Sequence, residues 1–243
     1  MEKVKVVLGD VARIVLNRPE KKNALDLQML SELRKAVDLV KRSGSKILVL
    51  SGEGDTFCSG LDRNLLLSLI QREVDEEIEK AIDFVQKIVY DLRNIEIPTI
   101  AAVKRYAIGA GFQLALAADL RLSTPGTIFC IKEPEFGIIP DMGALYLLPR
   151  IVGDGVAKDL VFSRKELKAE EAKNFGLVNE VCEDLERSVE DYTKKLLSVP
   201  IHTLKEAKKL IEKSWNQNFL KNLKETKRSQ IRCLIKMRRI QKI

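Results

Sequence analysis

One histidine in 243 residues removes most of what imidazole can do in catalysis. It is His202, in "SVPIHTLKEAKK" at the start of a predicted helix, and it reads as a surface side chain. Acid–base chemistry must therefore rest on carboxylates, lysine or tyrosine. The four cysteines, Cys58, Cys130, Cys182 and Cys233, stand far apart with no CxxC pair. That spacing excludes a zinc ribbon or a dithiol redox motif, and they read as reduced thiols. No apolar run approaches 18 residues, so no membrane-spanning helix is expected. The opening "MEKVKVVLGD" lacks an apolar signal core and a cleavage site, and a cytoplasmic protein is expected. No Gly-Lys-Ser/Thr follows any glycine loop, which excludes a P-loop.

What is present fits a globular chain, with 45% hydrophobic and 32% charged residues. Its length suits one domain with a sizeable core and a small C-terminal appendage. Charge is uneven. Residues 205–243 hold 13 Lys/Arg and 3 Glu, while the whole chain carries +7. Such a tail suits ligand phosphates, nucleic acid, an anionic membrane or a solvated helix face. Its only aromatic pair is Trp215 and Phe219, which supplies base stacking poorly, so nucleic acid is not expected as a partner.

Periodicity gives a coarse map. "VKVVLGDVARIVLN" reads as a hairpin turning at Gly9-Asp10. Residues 27, 30, 33, 37 and 40 form a helical stripe that ends at Gly44. "KILVLSG" reads as a buried strand and "GEGDTFCSGLD" as a loop. Ile70, Val74, Ile78, Ile82, Val85, Val89 and Leu92 predict one long helix, stopped before Pro98. "TIAAV" is a strand, "GAGFQLALAA" a turn and short helix, and "DLRLS" and "TIFCI" are strands. "MGALYLLPRIVG" is helical up to Pro149, and "LKAEEAKNFG" is another helix. From about 190 onward the pattern is helical only. The alternation argues for an α/β fold with buried strands. A core over 1–190 and a helical region over 191–243 are the expected parts.

The stretch "GAGFQLALAADLRL" carries the main question. The dinucleotide fingerprint needs a third glycine where Leu114 stands, so that reading fails. A glycine turn at a helix N-terminus also leaves backbone N–H groups free for negative charge. "FCSGLD" offers a second such loop. Two loops from neighbouring strands are able to aim two N–H groups at one oxygen, as a thioester enolate requires. One donor of this kind is worth about 2.7–4 kcal/mol of barrier.

Five segments in order, "LNRPEKKNALD", "FCSGLD", "IPTIAAVKRYAIGAGFQLALAADLRL", "EFGIIPDMGALYLLPRIVG" and "AEEAKNFGLVNEV", resemble the crotonase superfamily, the enoyl-CoA hydratase/isomerase family. The resemblance covers roughly residues 4–182. It implies a spiral of ββα units with a helical C-terminal region for trimerisation or as a lid. It also implies a trimer or a dimer of trimers, and an acyl-CoA substrate processed through a thioester enolate. No metal or separate cofactor is implied, since coenzyme A arrives with the substrate. By position, the enolate would be held by the N–H groups of Leu61 and Ala110, and Ser59, Gly60, Gly109 and Gly111 of the two turns would be substrate/CoA-binding residues. Alanine at 110, usually glycine, keeps the donor if its φ is ordinary. Lys21, Asn23, Ala24, Leu25 and Asp62 match segments lining the CoA channel. Basic residues of the C-terminal helices are expected near CoA phosphates. Glu133 matches one catalytic carboxylate of the family's hydratases, Asp141 matches an acid of several isomerases, and Gln113 stands where a second glutamate is usual.

Gln113 can bind a water but cannot take its proton. Hydration resting on Glu133 alone should be slow, since losing a general base costs about 10²–10⁴ in rate. Double-bond isomerisation needs one carboxylate to remove a proton and return it elsewhere, and isomerisation is the expected reaction. Hydration of 2-enoyl-CoA and non-catalytic acyl-CoA binding are the alternatives. Glu133 and Asp141 remain equal choices for the shuttling base. Each also has a bland reading: Glu133 as a surface strand acid, Asp141 as a cap for a helix starting at Met142. Gln113 is either an active-site wall or structural filler.

Overall fold

The computed structural model describes residues 2–71 and 75–240. Alternating valines give the expected hairpin: β1 (Val4–Val7) pairs antiparallel with β2 (Val11–Leu16). A 3₁₀ turn (Pro19–Lys21) leads into α1 (Leu27–Arg42), which is capped by Asp26 accepting the Met29 N–H at 2.9 Å. Leu27 is exposed, and the buried stripe of α1 begins at Met29 and Leu30. Then come β3 (Ile47–Gly52), α2 (Arg63–Ile70), α3 (Asp75–Arg93), β4 (Thr99–Val103), β5 (Tyr106–Ile108), α4 (Ala110–Ala117), β6 (Leu120–Ser123) and β7 (Ile128–Cys130). A 3₁₀ turn (Glu133–Phe136) precedes α5 (Ala144–Val152) and α6 (Asp154–Ser163). The chain closes with β8 (Leu167–Lys168), α7 (Ala169–Asn174), β9 (Glu180–Val181), α8 (Leu185–Leu197), α9 (Ile201–Ser214) and α10 (Phe219–Ile240).

The strands form a six-stranded sheet ordered β1-β2-β3-β4-β6-β9, parallel beyond the first hairpin, and a small sheet ordered β5-β7-β8. Each turn of chain visits both. β4 joins the large sheet and β5 the small one, and β6 and β7 repeat the step. Isolated parallel bridges, Leu25 to Leu61 and Cys58 to Ala107, carry the second layer back to the earlier turns. This is the spiral of ββα units that the resemblance implies.

Strand parity explains why β3 and β4 are apolar throughout. Ile47, Val49, Ile100 and Ala102 point to one face, where Val189 of α8 covers them. Leu48, Leu50, Ala101 and Val103 point to the other, into the main core with α1 and α4. Burial on both faces is what turns alternation into a continuous apolar run.

Several expectations are corrected. The predicted single helix from 70 is two: Ile70 ends α2, and α3 begins at Asp75. Val74 lies outside the described residues. α2 starts at Arg63 because Asp62 caps it, its Oδ1 accepting the Asn64 N–H at 2.9 Å. α5 runs through Pro149 to Val152. Proline removes only its own bond to the Leu145 carbonyl, and the helix is closed beyond it by the Gly153 N–H to the Pro149 carbonyl at 3.0 Å. Among the described residues only helices follow β9, the first of them, α8, beginning at Leu185. Among the described residues no helix is long and apolar enough to cross a membrane.

Candidate functional site

Two loops are knotted together beneath the site. The Asn23 backbone is left-handed, with φ 54°. Its fully buried side chain donates to the Glu53 and Thr56 carbonyls at 3.0 and 2.6 Å and accepts the Arg18 N–H at 2.8 Å. Arg18 donates to Asp62 Oδ2 at 2.7 Å and to the Ala24 carbonyl at 3.1 Å. That guanidinium holds the Asp62 carboxyl below the usual carboxylate range. Asn23 and Leu25, expected along the CoA channel, are thus fully buried and fix the loop from behind. Lys21 is exposed, Ala24 and Ser59 are half-buried, and the Ser59 N–H donates to the Lys22 carbonyl at 3.0 Å. The sequence does not mark Arg18, because an arginine in a loop gives no spacing signal of its own.

The two glycine turns meet above that knot. The Leu25 N–H donates to Gly60 O at 2.8 Å, and the Asp62 N–H donates to Leu25 O at 2.9 Å. In a parallel bridge this turns the intervening Leu61 N–H away from Leu25. A Cβ on Gly60, whose φ is +101°, would lie 2.9 Å from the Ile108 carbonyl and 3.8 Å from the Ala110 nitrogen. The positive φ of the second turn falls on Gly109, at +51°, and Ala110 opens α4 with ordinary φ. Alanine is therefore unstrained at 110. Among the described residues neither the Leu61 N–H nor the Ala110 N–H has an acceptor. Gly111 permits the approach of α4: a Cβ there would stand 2.4 Å from the Cys58 carbonyl.

Glu133 arrives from the second layer. The Gly109 N–H donates to Cys130 O at 2.8 Å, and the chain beyond β7 bends into the 3₁₀ turn that begins at Glu133. A Cβ on Gly109 would sit 3.3 Å from Glu133 Oε1, so the carboxyl lies against the turn before Ala110. Glu133 is only 9% exposed, which overturns its reading as a surface strand acid. Its Oε1 accepts the Gln113 side-chain N–H at 2.7 Å, while its buried Oε2 has no hydrogen-bond partner among the described residues. Burial pushes this carboxyl above its usual range, and the Gln113 bond works against that shift.

Gln113 links the Glu133 carboxyl to the turn before α5. It is 1% exposed, and its Oε1 accepts the N–H groups of Met142 and Ala144 at 2.9 and 3.2 Å. Asp141 does not cap a helix, since α5 begins at Ala144 with Gly143 before it. Asp141 is half-buried and its carboxyl is raised by burial; its carbonyl accepts from Gln86 at 3.0 Å.

A cavity of about 1180 Å³ opens between α3, α5 and α9, walled by Phe84, Val89, Tyr90, Met142, Tyr146 and Leu147. Asp141 lines it, whereas Glu133, Leu61 and Ala110 lie outside its lining. Phe112 packs on Phe129 in the core, with ring centroids 5.5 Å apart. Many C-terminal cations are already paired, Lys208 with Asp119, Lys213 with Glu225 and Arg232 with Glu206. Among the described residues no cluster of three or more His, Cys, Asp or Glu side chains is arranged to hold a metal ion.

Comparison with known proteins follows the same outline. The family model described as enoyl-CoA hydratase/isomerase matches residues 8–240, and the chain belongs to that family. Mouse mitochondrial methylglutaconyl-CoA hydratase is 35% identical over 193 residues, 79% of this chain and 58% of that protein. The peroxisomal Delta(3,5)-Delta(2,4)-dienoyl-CoA isomerase of Arabidopsis thaliana is 33% identical over 182 residues, 71% of this chain and 66% of that protein. The chain thus spans under two thirds of the length of these curated relatives. A Thermobifida fusca protein assigned among the enoyl-CoA hydratases, solved in complex with CoA, superposes with a TM-score of 0.89. Its sequence is 30% identical, covering 98% of this chain and 95% of that one.

Proposed function

We propose that the chain is an acyl-CoA enzyme that moves a carbon–carbon double bond, with Glu133 carrying the proton. The carrying observation is the unpartnered Glu133 Oε2, buried beside the turn that frees the Ala110 N–H. On a 3-enoyl thioester, Oε2 removes a C2 proton. The C–H electron pair forms the C1–C2 double bond, and the carbonyl pair moves onto the thioester oxygen. The N–H groups of Leu61 and Ala110 hold that oxyanion. Collapse of the dienolate returns the proton from Oε2 to C4 and leaves a 2-enoyl thioester.

Hydration is disfavoured by the Gln113 bonds. Both lone pairs of its Oε1 are used by Met142 and Ala144, so no acceptor remains there for a water proton. No cofactor enters this scheme, since coenzyme A is part of the substrate. Lys21, Ala24, Ser59, Gly60 and Asp62 edge the approach to the two N–H groups, and the cavity at Asp141 receives the acyl chain. The reading extends to a trimer or dimer of trimers, for which the exposed Phe162, Phe219 and Leu220 offer apolar surface.

The test is a CoA-ester screen on wild type, Glu133→Gln and Asp141→Asn. Water addition to 2-enoyl-CoA is followed separately from bond migration in 3-enoyl- and dienoyl-CoA. Migration by wild type that exceeds hydration and is lost in Glu133→Gln supports the proposal. Hydration as the faster reaction, or full activity in both variants, overturns it.

A further inference from the structure

We infer that Gln113 is a positioning residue that keeps Glu133 in its base form and leaves Oε2 as the one oxygen open to substrate. The inference rests on the reading of Glu133 as the proton carrier. Its grounds are three contacts of one buried amide. The backbone N–H groups of Met142 and Ala144 both need an acceptor, and Gln113 Oε1 is the one they have, at 2.9 and 3.2 Å. That sets the amide: oxygen toward the 142–144 turn, nitrogen toward Glu133. The nitrogen then meets Glu133 Oε1 at 2.7 Å. An N–H donor satisfies a carboxylate oxygen and favours the charged form over the protonated one.

The consequence is an asymmetric carboxylate. Oε1 is engaged and Oε2 is not, although both belong to a residue only 9% exposed. A carboxyl free to rotate would present either oxygen. With one oxygen pinned, the proton-taking atom has a fixed place relative to the Gly109 turn. The amide also joins three parts of the chain, α4, the Glu133 turn and the start of α5, so the geometry is set by backbone rather than by a mobile side chain.

Other charges bear on this carboxyl only weakly. α4 supplies no titratable side chain. Asp141, in the 141–143 turn, repels its negative form and raises it slightly. On its own turn Lys132 and Glu135 pair with each other at 3.1 Å. The nearby Cys130 is a buried thiol pushed up to about 11. The backbone N–H groups of Glu133 and Lys132 also favour its charged form, and among the described residues Gln113 is the one side-chain donor bonded to it.

The experiment uses two readouts on the full chain. The first is the acid limb of kcat/KM for Gln113→Met, which keeps bulk but removes the donor. The limb should rise by about one pH unit or more, with kcat lowered. The second works on wild type and needs no turnover. Side-chain amide resonances of ¹⁵N-labelled Gln113 should shift through the same midpoint as the ¹³C carboxyl of Glu133, and that shift should vanish in Glu133→Gln. An unmoved acid limb in a folded Gln113→Met protein overturns the inference. If that variant does not fold, Gln113 resonances that ignore the Glu133 midpoint overturn it instead. The wild-type titration does not depend on which reaction occurs. It can therefore succeed while the CoA-ester screen rejects isomerisation, and the two failures are distinguishable.

Discussion

Lys208 of α9 donates to Asp119 Oδ2 at 2.8 Å, and the same carboxylate oxygen accepts the Thr99 N–H and hydroxyl at 2.8 and 2.9 Å. One carboxylate therefore ties the C-terminal helices to the ends of β4 and β6. Lys208 also reaches the Ile97 carbonyl at 3.1 Å. Lys208→Met should leave two acceptors on the core side, Asp119 Oδ2 and the Ile97 carbonyl, short of a charged donor. A stability loss of about 2 kcal/mol is expected, read by urea unfolding, with amide exchange in α9 and α10 speeding up before the sheet is affected.

The two last helices have their own clasp. Arg232 and Ser229 of α10 donate to Glu206 of α9, each at 2.7 Å, and they hold the Glu206 carboxyl down at about 2. The native state binds this proton less tightly than the unfolded chain. The clasp is therefore at full strength above the ordinary carboxylate range near 4.5 and fades as pH falls toward about 2. Proteolysis or amide exchange of α10 between pH 5 and pH 2 should show it loosening over that window. Glu206→Gln should show the loosened state already at neutral pH.

Glu133 works in the opposite direction. Its carboxyl is raised by burial, so the native state holds the proton more tightly than the unfolded chain. Stability should fall as pH rises through the interval between the ordinary and the raised midpoints. In its charged form, which the proposed role requires, this buried carboxylate with one unpartnered oxygen is costly. Glu133→Gln should thus lose activity while melting a few degrees higher, about 3 °C for each kcal/mol regained. The gain should disappear in acid. Scanning calorimetry at two pH values decides it, and a lower melting temperature at neutral pH contradicts it.

Gly111 and Gly109 separate fold from function. A Cβ at Gly111 would stand 2.4 Å from a backbone oxygen, Cys58 O, so Gly111→Ala should destabilise the protein by about 1–3 kcal/mol. A Cβ at Gly109 would meet the movable end of Glu133 at 3.3 Å, with φ at +51°. Gly109→Ala should remain folded but lose most turnover, as measured by circular dichroism alongside the CoA-ester assay.

How much of this could be read beforehand depends on what each element does. Elements with one strong periodic signal were legible: the β1–β2 hairpin, α1, β3 and β4. The glycine turns at 60 and 109 were legible because positive φ leaves glycine as the residue that fits. α2 follows directly on the glycine-rich loop and carries no separate signal, because its start is set by an aspartate cap rather than by an apolar stripe. α6 gives no clear helical signal because Gly153 precedes it and Gly155 sits in its first turn. β5, three residues long, draws its stability from pairing with β7, which no local pattern reveals. Choosing between Glu133 and Asp141 was beyond the sequence, since both have the right spacing. Burial, the Gly109 contact and the free Oε2 are the grounds on which the proposal takes Glu133. The role of Gln113 was equally hidden, because two of its three partners are backbone N–H groups of a turn 29 and 31 positions away.

The central claim is that one carboxylate, Glu133, lifts the proton from C2 and delivers it to C4. Its most direct test follows a 3-enoyl-CoA deuterated at C2 and turned over in ordinary water. ²H NMR of the 2-enoyl product should find part of the label at C4, because the same oxygen carries it across. Glu133→Gln should slow the migration by about 10²–10⁴. Product with no label at C4, together with unchanged turnover by Glu133→Gln, would contradict the account.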